Sequence, residues 1–219
     1  MSYLRIVESN GPDSRGIGEP RQQTCLAVPQ VPTGTTATRG QIQFVELRNF
    51  QLSTSGGRKM VSFSVGGPMD DKKRANFIRR FMEPMNRYPL SRKLCHALHF
   101  GTHPVLIAWG NGQFGINGTS ALDRREAVGG RGSAAVIYID ENAPDWQGFE
   151  TIVANPDVGL FHELIHAWYT QRGAVVNEEE EMERLVIGIG RHLNCPLTEN
   201  AYREARNLAR RCCWKKEKL

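Results

Sequence analysis

Alternating hydrophobic and polar positions predict β-strands in the first two thirds of the chain. The segment that begins at Gln41 alternates imperfectly, and Met60–Val65 alternates apolar residues with serine. Both patterns are typical of half-buried strands, and Gly56–Gly57 provides a turn between them. Ala134–Asp140 is apolar and rich in β-branched residues, which makes it the strongest strand prediction.

A further strand is predicted at Pro104–Trp109, a short apolar run. Asn111–Gly112 follows this run and is a typical hairpin turn. We therefore expect Gln113–Asn117 to be the second strand of a hairpin. The glycines of Gly129–Gly132 predict a flexible loop.

Helical spacing of apolar residues predicts two helices between the strands. Asp70 or Asp71 caps the first helix, and Pro84 limits its end. The second helix covers Ser91–His99, with Gly101 as its stop signal.

The last third of the chain is predicted to be helical. One helix covers Asp157–Arg172 and ends at Gly173, another begins at Asn177, and a third begins at Thr198. A few strands followed by a run of helices indicate an α+β domain with a small mixed or antiparallel sheet.

Residues 1–40 differ in composition from the rest of the chain. They contain four prolines, many Gly, Ser, Thr and Gln residues, and little hydrophobic periodicity. Such a segment buries too little apolar surface to offset the entropy cost of ordering it. We expect a flexible leader at 1–40 and one folded domain at 41–219.

The composition of the 219-residue chain excludes several classes of protein. Its mean hydropathy is −0.44 and no long apolar run occurs, so we expect no membrane span and no standard secretory signal. The net charge of +5 comes from scattered basic clusters without an aromatic-rich motif, so we expect no nucleic-acid partner. Five cysteines are too few for a disulfide scaffold and predict free thiols in a reducing compartment.

The strongest chemical signal is the segment His162-Glu163-Leu164-Ile165-His166, the HExxH pattern of zinc metallohydrolases. On a helix the two histidines lie one turn apart on the same face, so both can bind one Zn²⁺ ion. Glu163 follows the first ligand and can reach a water on that ion. The surrounding sequence is apolar, and buried polar groups need partners. The alternative is a surface helix with an incidental pair of histidines.

A third zinc ligand must come from outside this motif, because catalytic zinc sites have three protein ligands. Asn177 and the glutamates that follow it suit the capped, acidic first turn of a helix. Glu179 and Glu183 lie beside the apolar stripe of that helix, one turn apart. Glu183 lies deeper in the helix, where capping does not explain it, and is our predicted ligand. Glu179 is the alternative ligand, or an acceptor for a ligand histidine.

Three sequence stretches resemble the small zinc metalloproteases that bacteria inject through type III secretion, and the NleD-like effector proteases in particular. These stretches are HELIHAWYTQRG, ERLVIG and PLTENAYR, all within residues 130–205. The clostridial neurotoxin light chains share HELIH and a glutamate five residues before a glycine, which matches Glu183 and Gly188 here. One departure is Leu185–Val186, where the family has a segment containing threonine.

The resemblance implies a zincin-like, gluzincin-type metalloprotease domain behind a secretion leader. It implies delivery by type III secretion into the host cell cytoplasm, where such proteases cut signalling proteins such as mitogen-activated protein kinases. Glu163 would act as the general base toward a water activated by zinc. We expect Tyr202 and Arg203, within the family-like stretch, as donors to the oxyanion. The alternatives are core packing for Tyr202 and an ion pair for Arg203, while Tyr169 is more typical of packing.

Two further segments have weaker functional interpretations. In zincins the substrate lies along an edge strand beside the zinc helix, and Ala134–Asp140 has the right place in the chain for that strand. An ordinary interior strand has the same pattern. Cys95, His96, His99 and His103 are a weak metal-site candidate, because no second cysteine or acid lies near them.

The preferred function is therefore zinc endopeptidase, with a host protein as substrate and a monomer as the active form. A binding module that holds a structural zinc without proteolysis is the second candidate. A zinc hydrolase that acts on a non-peptide substrate is the third.

Overall fold

The computed structural model describes residue 25 and residues 42–46, 49–55, 58–64, 70–110, 117–140 and 150–214. Apart from Cys25, the predicted leader lies outside the described residues, as do the predicted turns at 56–57 and 111–112. None of the described helices has the length and apolar character needed to cross a bilayer.

The chain forms six strands and eight α-helices within the described residues. The strands are β1 Ile42–Glu46, β2 Asn49–Ser55, β3 Arg58–Ser64, β4 Val105–Gly110, β5 Gly118–Ala121 and β6 Ala135–Asp140. The helices are α1 Asp71–Phe77, α2 Glu83–Asn86, α3 Pro89–His99, α4 Arg124–Val128, α5 Glu150–Ala154, α6 Pro156–Gln171, α7 Glu179–Ile187 and α8 Glu199–Ala205. The predicted α+β class with a small mixed sheet is confirmed.

The main sheet has the strand order β1-β4-β6-β5. Strands β1, β4 and β6 are parallel, with Val105 opposite Ala135, and β5 is antiparallel to β6. Strands β2 and β3 form a separate antiparallel pair. The predicted hairpin after β4 is wrong in its pairing, because β4 lies between β1 and β6. Most of its predicted second strand lies outside the described residues.

The sequence leaves two roles open for strand β6, a substrate-binding edge and an ordinary interior strand, and the structure has the interior strand. All six of its residues are buried, and it is paired on both sides, by β4 and β5. A parallel strand covered on both faces is apolar throughout, so its sequence cannot show whether it lies at an edge. Within the described sheet, β5 is the edge strand on this side.

The first predicted helix does not end at Pro84. The chain passes from α1 through a π-turn at Ile78–Met82 into α2, and Pro84 lies in the first turn of α2. Proline is tolerated there because the first turn does not need its missing N–H. Phe77 and Phe81 stack at 4.5 Å on the buried side of this segment. The helix predicted at Ser91–His99 is confirmed as α3.

Helix α6 is the centre of the structure, and its predicted bounds are confirmed to within a residue. Fourteen of its sixteen residues are buried. A helix that is apolar on nearly all sides must be covered on all sides, and α6 contacts α3, α7, α8 and strands β5 and β6. The histidine pair therefore lies inside the protein rather than on a surface helix.

The loop at Gly129–Gly132, predicted to be flexible, is held against the end of α6. Gly130 N–H donates to the Gly173 carbonyl at 3.0 Å, and Ser133 N–H donates to Thr170 at 3.0 Å. Gly132 has a φ of +82°, and a Cβ there would lie 2.0 Å from the Gln171 carbonyl oxygen. Close backbone packing therefore explains the glycine at position 132.

The capping residues of α7 and α8 agree with the sequence predictions except at the start of α7. Thr198 caps α8 by accepting from the Ala201 N–H at 3.1 Å, as predicted. The N-cap of α7 is Glu178 without a side-chain bond, so the predicted Asn177 cap is wrong. Gly188 ends α7 at a φ of +82°, and a Cβ there would lie 2.6 Å from Thr198 Oγ1. Helix α7 therefore approaches the start of α8 closely at Gly188.

The prediction that all five cysteines are free thiols is wrong for two of them. Cys25 and Cys195 form a disulfide that joins positions 170 residues apart. Cys95, Cys212 and Cys213 are free. The pairing could not be predicted from the sequence, because the residues around each cysteine do not indicate a partner so far away in the chain.

Candidate metal centre

Helix α6 presents both histidines of the HExxH motif to the same point. The Nε2 atoms of His162 and His166 are 3.1 Å apart, and their ring centroids are 4.8 Å apart. The four-residue spacing produces this convergence, because one helical turn returns to the same face. His162 is buried and His166 is half-buried, so one side of the pair is open to solvent.

Helix α7 supplies the third group, and that group is Glu183. Its Oε1 lies 3.1 Å from His166 Nε2, and its Oε2 lies 3.3 Å from His162 Nε2. Its neighbours Met182 and Leu185 are buried, and α7 packs against α6. Glu179 is exposed and lies outside the cluster of three. Of the two glutamates considered from the sequence, the structure brings only Glu183 to the histidines.

The distances among these three residues fit a tetrahedral zinc ion. Zinc bonds of about 2.0–2.1 Å to nitrogen and oxygen place neighbouring ligand atoms about 3.3–3.4 Å apart in a tetrahedron. The observed separations of 3.1–3.3 Å, taken from each histidine to its nearer Glu183 oxygen, are close to that value. Two imidazoles and one carboxylate are also a donor set that catalytic zinc sites use. Among the described residues the cluster has three members.

The electrostatics of the cluster favour a cation at its centre. Burial lowers the pKa of His162, but Glu183 and Glu199 outweigh it and raise that pKa to about 10. Burial raises the pKa of Glu183, yet His166 and His162 outweigh it and hold that pKa well below its usual range. An ionised carboxylate and an imidazole of high proton affinity are both ready to bind positive charge.

Helix α8 adds a residue that the sequence analysis did not find. The Glu199 carboxylate is fully buried and accepts a hydrogen bond from His162 Nδ1 at 2.8 Å. Arg203 Nε donates to Glu199 Oε1 at 2.5 Å, and Arg211 Nη1 donates to Oε2, the oxygen that also bonds His162, at 3.1 Å. Burial disfavours the ionised form, but His162, Arg211 and Arg203 outweigh burial and hold the pKa of Glu199 at about 2.

Glu199 fixes the tautomer of His162. Once a metal ion displaces the Nε2 proton, Nδ1 would stay protonated toward the carboxylate and the Nε2 lone pair would face His166 and Glu183. Metal-binding histidines commonly have such a carboxylate partner, which orients the ring and makes it a stronger ligand. In the sequence, Glu199 appears only as an acidic residue in the first turn of a helix. The helix dipole explains such a residue equally well, so the sequence does not indicate a role at the metal centre.

Glu163, the predicted general base, is buried beside the cluster. Burial raises its pKa, while His162 and His166 pull it down. The Thr119 hydroxyl, on strand β5, lies 2.8 Å from Glu163 Oε2 and 2.9 Å from the Glu163 carbonyl oxygen. The Thr119 hydroxyl can donate a hydrogen bond to only one of these two oxygens at a time. The contact ties the side chain of Glu163 to the edge strand.

The structure does not place Tyr202 and Arg203 at the metal position. The Tyr202 hydroxyl donates to Asp157 Oδ2 at 2.7 Å, and its ring stacks on Phe161 at 4.3 Å. Arg203 is buried and pairs with Glu199. Both contacts correspond to the alternatives considered from the sequence, core packing and an ion pair. The predicted oxyanion role is corrected to a supporting one: Arg203 neutralises the carboxylate that orients His162.

The remaining sequence candidates also lie outside the cluster. Tyr169 is buried in the hydrophobic core. His96 and His99 pack against Phe100, and His103 Nε2 lies 3.2 Å from the Arg131 carbonyl oxygen. Within the described part of the chain, these histidines do not join a metal-binding group.

Comparison of the chain with protein-family models, with curated proteins and with solved structures finds no match.

The two candidate ligands on α7 can be separated by matched substitutions. We expect Glu183→Gln to weaken zinc binding by at least about 100-fold, more than is typical of losing a group behind a ligand. Glu179→Gln, on the same helix but exposed, should bind one zinc per chain like the unaltered protein. The measurement is competition with a chromogenic chelator. Equal affinity of the two variants would contradict the assignment of Glu183.

The role of Glu199 gives a second test. Glu199→Gln keeps the shape but loses the charge that orients His162, so zinc affinity should fall about 10–100-fold. The melting temperature of the Glu199→Gln variant should fall as well, because Arg203 and Arg211 lose a buried charged partner. Glu204→Gln, an exposed site on the same helix, is the control and should change neither quantity. A Glu199→Gln protein that folds and binds zinc with full affinity would contradict this role.

Proposed function

We propose that this protein is a zinc-dependent endopeptidase with a zincin-like fold. The observation that carries the proposal is the convergence of His162, His166 and Glu183 on one point, beside a buried Glu163. A site built only for structure has four protein ligands. The three found here favour a catalytic ion over the structural zinc of a non-catalytic binding module.

The chemistry divides between the metal and the chain. His162, His166 and Glu183 would hold the zinc ion, which would supply a Lewis acid that activates water near neutral pH. Glu163 accepts the proton of the attacking water and passes it to the leaving amine. Its buried position suits this role, since burial raises the pKa of the carboxyl toward the working range of a general base.

Strand β5 is the proposed binding edge for an extended substrate. It pairs with β6 on one side and packs against α6, the helix that carries the ligands. An extended peptide can add to such an edge through main-chain hydrogen bonds, while pockets for alternate side chains give specificity. Thr119 on this strand contacts Glu163, so substrate binding and the catalytic base share one element.

The substrate class follows from the resemblance to the NleD-like proteases. We propose a host signalling protein, such as a mitogen-activated protein kinase, reached by type III secretion into the host cytoplasm. A large substrate is in keeping with a ligand pair that is partly open to solvent.

Substitution of the general base tests this proposal. Glu163→Gln should lower the rate of peptide-bond cleavage by about 10²–10⁴-fold, the usual contribution of a positioned general base. Zinc content should remain at that of the unaltered chain, because Glu163 is not a ligand. The measurement compares new protein N-termini in host-cell lysate treated with either form. Cleavage at an undiminished rate by Glu163→Gln would contradict the mechanism.

The contact from Thr119 gives a finer test. Thr119→Val removes the hydroxyl but keeps the shape, so kcat should fall about 3–10-fold, the worth of one hydrogen bond. KM and zinc content should change little. Thr119→Ser restores the hydroxyl and should recover most of the rate. If the valine and serine variants have the same kcat, the hydroxyl does not position Glu163.

A further inference from the structure

A second group of metal-ligating side chains lies apart from the centre described above. Cys25, Cys195 and His192 each offer a ligand atom, and these atoms all lie within 4.8 Å of one another. His192 and Cys195 are 2% and 5% exposed. His192 Nδ1 lies 3.8 Å from Cys195 Sγ. The proposed protease activity uses none of these three residues.

The ring of His192 is oriented as a ligand would be. Its Nε2 lies 2.5 Å from Glu181 Oε1, and that carboxylate also accepts from Arg191 Nε at 2.7 Å. A proton on Nε2 toward the carboxylate leaves the Nδ1 lone pair facing the cysteines. Metal-binding imidazoles commonly have this carboxylate partner behind them.

We propose that Cys25, Cys195 and His192 form a thiolate site for a divalent cation such as Zn²⁺, which is available only when the disulfide is reduced. Two thiolates and an imidazole are donors that zinc prefers. Three protein ligands leave one position to water or to a further donor. The disulfide of the structure is then the oxidised, metal-free state of the same site.

The change between the two states balances chemically. A dithiol reductant transfers two electrons and two protons to the Cys25–Cys195 bond, which breaks to give two thiols, and the reductant becomes a cyclic disulfide. Zinc then replaces the two thiol protons, which are released to solvent. A reducing compartment keeps cysteines in the form that the site needs.

The position of this site gives it a structural consequence. Cys195 and His192 lie in the connection between α7 and α8, the helices that carry Glu183 and Glu199. Cys25 belongs to the segment far upstream, 170 residues away. In both the disulfide state and the metal-bound state, residue 25 is therefore linked to the connection between α7 and α8. That connection positions Glu183 and Glu199.

Cobalt binding by the full-length chain tests the proposal without an activity assay. Thiolate ligands give Co²⁺ a sulfur-to-metal charge-transfer band in the near ultraviolet, which a His/His/Glu site lacks. The chain is reduced with a dithiol, desalted without oxygen and titrated with Co²⁺, beside an oxidised sample of the same chain. We expect the band and one additional bound cobalt only in the reduced sample. Identical spectra and stoichiometry in the two samples would overturn the proposal.

Matched variants identify which cysteines bind. The Cys25→Ser/Cys195→Ser double variant should lose the band and one cobalt, whereas Cys212→Ser/Cys213→Ser, which removes the two other free thiols near the end of the chain, should keep both. Glu181→Gln should weaken binding at this site by about 10–100-fold. A band that survives the first double variant, or disappears in the second, would contradict the assignment. Failure of these results leaves the His162 site intact, so the two proposals fail independently.

Discussion

The whole arrangement depends on keeping the charges around His162 paired inside the protein. This imidazole lies between the carboxylates of Glu183 and Glu199, and Glu199 is paired in turn with Arg203 and Arg211. An unpaired charge at such depth costs several kcal/mol, so each member needs its partners in place. These pairs therefore stabilise the packing of α6, α7 and α8 that brings the ligands together.

The sequence predicted the parts of this arrangement that arise from local chemistry. The bounds of α6 follow from apolar spacing and a terminal glycine, and the cap of α8 follows from Thr198. The histidine pair is visible because its spacing equals one helical turn. Glu183 was preferred over Glu179 by its depth in α7, and the structure places it beside both histidines.

The remaining features need contacts between residues far apart in the chain. Glu199 meets His162 across 37 residues, and Tyr202 meets Asp157 across 45. The residue types of Tyr202 and Arg203 suit both catalysis and packing, so sequence alone could not distinguish the two roles. The same holds for β6, since edge and interior parallel strands share an apolar pattern until their neighbours are known.

X-ray absorption at the zinc edge tests the central claim most directly. The sample is the Cys25→Ser/Cys195→Ser variant loaded with one zinc per chain, so that only the site on α6 and α7 is observed. We expect two imidazole nitrogens and carboxylate oxygen at about 2.0–2.2 Å, with no sulfur. A sulfur shell at about 2.3 Å, or the absence of imidazole scattering, would show that His162, His166 and Glu183 do not hold the ion.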